Sequence, residues 1–204
     1  MSLLEPIVIF PSNFDFEAER KASKSGTLEG AVAELPDGSQ YPLDFVDISR
    51  MEREIGSSSQ SQLQFLAKPG LIVVSAISRW MCTMAVRWAA SQDVFSQLQP
   101  LPCTVRSALV ANVLFPADMA SAHQRGYVED LVIQLDDNLS HRVNFIIPIR
   151  LRREIEIDAM HGTPFTAVPN LIVIPDITSE CISNAVQRLA LDGFFSFSKP
   201  IQSE

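Results

Sequence analysis

The hydrophobic positions of this 204-residue chain fall into short branched runs, alternating stretches and one helical stripe, and the whole series occurs twice. Ile7 to Phe10 and Val113 to Phe115 are apolar runs stopped by Pro11 and Pro116, so each reads as a strand. Leu28 to Leu35 and Val128 to Leu135 supply the next strand. The turns that follow, "PDGS" and "DDNL", contain Asp, Gly and Asn, which tolerate positive φ. Tyr41 to Ile48 and His141 to Ile149 then read as the return strands of two hairpins. A charged segment comes next, "RMEREI" or "RLRREI", then a variable stretch, then the apolar strand "PGLIVV" from Pro69 or "PNLIVI" from Pro169. Beyond it, Ser78 and Thr178 predict helix N-caps. Cys82, Ala85, Val86, Ala89 and Ala90 match Ile182, Ala185, Val186, Leu189 and Ala190 as one apolar stripe along a helix.

Sliding the sequence by 100 residues, Leu28 to Leu101 against Val128 to Ile201, gives about 22 identities in about 74 ungapped pairs, where chance gives about four or five. Upstream the offset becomes 105, with "SLLEPIVIFPS" over "SALVANVLFPA". The pattern predicts an α+β chain made by tandem duplication of a β-β-β-β-α unit, residues 1–102 and 103–204. Each unit carries one long helix on a mainly antiparallel sheet. A sheet with a helix on one face has a second face to hide, so the units are expected to pack about a pseudo-twofold axis, as two abutting sheets or one continuous sheet.

Composition narrows the chemistry. At 47% hydrophobic and 20% charged the chain can bury a core, and no apolar run approaches the roughly 20 residues that cross a bilayer. The expected location is the cytoplasm, without membrane contact. Cys82, Cys103 and Cys181 are odd in number and lack C-x-x-C spacing, so neither a disulfide framework nor a zinc site is indicated. His123, His141 and His161 all fall in the second copy, but no pair of them is spaced to ligate from one element, and no metal or other cofactor is expected. Cys181 in the first helical turn reads as structural beside Glu180. No G-x-S-x-G, Walker A or G-x-G-x-x-G sequence occurs. A formal net charge of −8 opposes nucleic-acid binding and admits a basic protein partner.

Two sets of residues stand out when the copies are compared. Trp80, Met84 and Trp88 recur at four-residue spacing on the first helix, where the second copy has Glu180, Asn184 and Arg188. This line is either packed under another part of the chain or a contact surface for a partner protein or a second copy. Arg50 and Arg53 align with Arg150 and Arg153, and Glu54 with Glu154. They read as a salt-bridged structural corner or, alternatively, as a ligand site in which arginines grip a carboxylate or phosphate.

These features point to a non-enzymatic protein-binding module that neutralises or chaperones a basic partner. In general type, though in no motif, it resembles bacterial immunity proteins for secreted toxins. The alternatives are an enzyme or small-molecule sensor with its site in the cleft between the repeats, and a structural subunit that oligomerises through the first helix.

Overall fold

The computed structural model describes residues 5–56 and 65–201. The segment aligned with the loop around His161, residues 57–64, lies outside them. The protein is α+β, with two mostly antiparallel five-stranded sheets and six helices among the described residues.

The first half runs β1 (Ile7–Ile9), α1 (Phe16–Ser25), β2 (Thr27–Glu34), β3 (Gln40–Asp47), α2 (Ile48–Gly56), β4 (Leu66–Ala67), β5 (Leu71–Val74) and α3 (Arg79–Ser91). The second runs β6 (Val110–Leu114), α4 (Met119–Arg125), β7 (Tyr127–Leu135), β8 (Ser140–Ile146), α5 (Pro148–Met160), β9 (Phe165–Thr166), β10 (Leu171–Val173) and α6 (Ser179–Leu191). The expected hairpins, apolar strands and final helices are all present. Ser78 and Thr178 do cap α3 and α6, their hydroxyls accepting from Met81 N and Cys181 N at 3.1 Å.

Each half, however, carries three helices where the pattern of apolar residues predicts one. Helix α1 buries only Ala22, so it draws no apolar stripe, and its start is set instead by the Asp15 carboxylate, which accepts from Ala18 N at 2.9 Å. The charged segments are helices too. Met51 and Ile55 on α2, and Leu151 and Ile155 on α5, turn a short apolar edge inward between the charges. The return strand expected to reach Ile149 stops at Ile146, because Pro148 begins α5 with a φ that suits a first helical turn. These helices carry the chain back across the sheet, so β3 pairs with β5, and β8 with β10, in parallel.

The strand order is β1-β2-β3-β5-β9 in one sheet and β4-β10-β8-β7-β6 in the other. Each sheet therefore takes its last strand from the opposite half of the chain. β9 pairs antiparallel with β5, and Phe165 and Ala167 enter the first half's core beneath α3. β4 pairs with β10 in return, with Phe65 and Ala67 against the second core beneath α6.

A third core lies where the halves meet. Val46, Met51 and Val73 pack there with Ile146, Leu151 and Val173. Across its rim, both the Nε and an Nη of Arg152 on α5 donate to the carboxylate of Glu52 on α2. One positive-φ position is strict: a Cβ on Gly70 (φ 64°) would lie 2.1 Å from the Pro42 carbonyl oxygen. At the matching place Asn170 adopts φ 52°, and its amide donates to Arg142 O and Ser198 Oγ at 2.9 Å.

Replacing Phe165 by Ala should cost about 3–5 kcal/mol of stability in chemical denaturation, the range for deleting a buried ring. Loss of less than about 1 kcal/mol would mean that the exchanged strand is not part of the core. Glu52→Arg should lose about 1 kcal/mol by facing Arg152 with like charge, and adding Arg152→Glu should restore most of it in the same assay.

Candidate functional site

The Trp80, Met84, Trp88 line divides on the folded helix. Residues four apart advance about 40° round an α-helix, so such a line winds from one face toward the next. Met81, Cys82, Ala85, Val86 and Ala89 face the core, which puts Trp80 at the opposite pole, 64% exposed. Met84 and Trp88 have turned toward the core and pack partly buried against it. Trp88 meets the exchanged Phe165 edge to face, with ring centres 5.7 Å apart. Arg79 and Arg87, on the flank toward β1, are used structurally. Arg79 lies over the stacked rings of Phe10 and Phe14, its backbone N–H donates to Glu19 at 2.7 Å, and Arg87 pairs with Glu5 at 2.7 Å.

The four aligned arginines do not converge on one concavity. Arg50 and Arg150 each hold the glutamate one turn on, with Nε to Oε1 distances of 2.7 Å to Glu54 and 2.8 Å to Glu154. Arg53 donates from Nε to Ser49 O at 3.3 Å. Arg150 and Arg153 line a hollow of about 310 Å³ with a third arginine, Arg125 from the last turn of α4. The guanidinium carbons of Arg125 and Arg150 each lie 5.2 Å from the Tyr127 ring centre. Arg125 and Tyr127 escape a reading of the charged segments alone. Their signal is that Ser25 and Thr27 stand at the matching positions, so a cation and an aromatic ring distinguish the second half there.

Two clefts adjoin the C-terminal tail. One, of about 260 Å³, lies between the halves and is lined by Ser96 and Gln97 on one side and by Arg142, Asn170 and Lys199 on the other. The second, of about 610 Å³, includes His141, Cys103, Arg106, Asp136 and Asp137. His141 is 2% exposed, its ring 5.2 Å from Phe195, as the Tyr41 ring is from Phe95. Its Nδ1 is buried and finds no hydrogen-bond partner among the described residues. Burial holds the imidazole below its ordinary pKa, with the Asp137 charge and the Ser198 backbone acting the other way.

The histidines stay apart: His123 meets Asp176 at 3.1 Å, and His161 ends α5. Among the described residues no group of three His, Cys, Asp or Glu could hold a metal ion. Burial pushes the Cys82 thiol up to about 12, which keeps it protonated and unreactive at neutral pH. No helix among the described residues is long and apolar enough to cross a membrane. No protein-family model, curated protein or solved structure matches the chain.

The His141 environment has a sign that can be checked. An imidazole held below its ordinary value when folded takes up its proton more readily when unfolded, so stability falls as the pH drops through about 6.5. Denaturation midpoints at pH 7.5 and 5.5 should therefore differ more in the wild type than in His141→Tyr, which carries the first half's residue. Equal pH dependence in the two proteins would remove His141 as the cause.

Proposed function

We propose that this chain is a non-enzymatic protein-binding module of the cytoplasm, built by tandem duplication, that engages a basic protein partner through the Trp80 end of α3. The observation that carries the reading is the exposure of Trp80. A tryptophan at the solvent pole of a helix leaves most of its ring in water, whereas burial against a partner would recover that apolar area. Glu180 occupies the matching place on α6, so the first half alone offers an aromatic anchor there.

Charge supports the choice of partner, since a net −8 attracts basic proteins over distances longer than direct contact and speeds their encounter. Duplication is supported by the identities at offset 100, by the same order of strands and helices in each half, and by the reciprocal loan of β4 and β9. Such a loan is what remains when two copies that once exchanged strands as a dimer are joined in one chain.

A second reading is favoured by one observation, the cleft between the halves that holds Arg142 and Lys199. Neither side chain is in an ion pair among the described residues, and a small acidic ligand would suit them.

Retention of binding partners on immobilised wild-type protein and on Trp80→Glu tests the main reading. Met84 and Trp88 are left intact because both pack against the core. A basic protein held by the wild type and lost by the variant, with the free wild type monomeric by light scattering, is the expected result. Identical retention by both baits would sink it, and a concentration-dependent wild-type dimer lost in the variant would favour self-association instead.

A further inference from the structure

The hollow between the end of α4 and the start of α5 is lined by residues that include Arg125, Gly126, Ile147, Ile149, Arg150 and Arg153, and among the described residues no acidic side chain lines it. Among the described residues the one carboxylate paired with its arginines is Glu154, which holds Arg150. Arg125 donates to the Ser121 hydroxyl at 3.3 Å and lies over the Tyr127 ring, and neither Arg125 nor Arg153 is in an ion pair among the described residues. Three positive charges thus face one negative charge on a chain that is acidic overall. The guanidinium carbons of Arg125 and Arg150 both lie within cation–π distance of the Tyr127 ring, which brings the two cations to one wall of the hollow.

The first half shows what this place accommodates. There Asp47 supplies a carboxylate, whose Oδ1 accepts from Ser49 N at 2.8 Å and Arg50 N at 3.3 Å. Asp47 lies against Gly26 as Ile147 lies against Gly126, so the two sites share a backbone frame. In the second half Ile147 gives α5 no side-chain cap, and Arg125 stands beside it. Where the first half has a built-in anion, the second has an apolar side chain and an extra cation.

We propose that this hollow binds a phosphate monoester. Two uncompensated positive charges match a phosphate dianion, and guanidinium forks arriving from two helices suit an acceptor with oxygens pointing in several directions better than a planar carboxylate. A phosphorylated side chain of a protein and a free phosphorylated metabolite present the same group. The site is separate from the α3 surface, and the two stand or fall independently.

Calorimetric titration at pH 7.5 and low salt with inorganic phosphate, a phosphoserine peptide and acetate tests the proposal, with the backbone amide resonances of Ile149 and Arg150 as a local readout. Saturable phosphate binding that shifts both amides, with acetate far weaker, is expected. The double variant Arg125→Ser, Arg153→Gln should bind phosphate at least about tenfold less tightly, the loss typical of removing charged hydrogen-bond donors. Ile147→Asp, which recreates the first half's carboxylate, should compete the phosphate away. Because Ile147 also packs against the second core, the two exposed arginines carry the test without it. The peptide binding more tightly than phosphate assigns the group to a protein, and equal affinities assign it to a small molecule. No saturation up to about 10 mM phosphate, acetate binding as tightly, or a double variant indistinguishable from wild type would each overturn the proposal.

Discussion

The shared core between the halves is the constraint on which the remainder depends. Val46, Met51, Val73, Ile146, Leu151 and Val173 face one another there because each sheet buries one face under its own long helix and leaves the other to be hidden. Around this core the chain exchanges its shortest strands. A two-residue strand contributes little by its own ladder, so what secures β9 is the insertion of Phe165 beneath α3 against Trp88. The halves are thereby held by side chains that each has placed inside the other.

Corresponding positions of the two halves then act as controls on one another, since backbone and neighbours are similar and only the side chain differs. Glu52 and Arg152 meet across the shared core. Identical residues at that place would repel, while opposite charges allow a two-toothed pair that only a single chain with two unequal halves can make. His141 stands where the first half has Tyr41 but brings a ring nitrogen that finds no partner among the described residues, and burial outweighs the Asp137 charge in setting its protonation. Ile147 stands where the first half has the capping carboxylate of Asp47, and Arg125 and Tyr127 stand where it has Ser25 and Thr27. These last changes fall on one hollow, and each moves its charge in the positive direction or organises the cations already present.

Much of the architecture was legible because apolar periodicity is a local signal read twice. The strands at Leu71 and Leu171, the hairpins with their Gly38 and Asn138 turns, and the helices capped by Ser78 and Thr178 all announce themselves within a few residues. Helices α1 and α2 did not. Helix α1 is nearly all polar and is held by a cap and its contacts with α3, while α2 does space Ile48, Met51 and Ile55 at i, i+3 and i+7, but among charges and directly after a strand whose pattern reads on through Ile48. The candidate sites were legible in part. Arg150 and Arg153 could be singled out by their alignment with Arg50 and Arg53, but their companion Arg125 lies on another helix, and nothing in the charged segment points to it.

What the amino-acid order determined by itself is therefore the kind and order of most elements, the caps and turns between them, and the absence of the familiar phosphate-loop and nucleophile motifs, since each depends on residues within one turn or one strand. Only the tertiary structure decided that β4 and β9 change places, that Trp80 faces solvent while Trp88 packs partly buried against the core, and that Arg125 joins Arg150 and Arg153. The physical reason is common to all three. They follow from contacts between segments far apart in the chain, whose energies come from shape and charge matched across space and leave no periodic trace along the sequence.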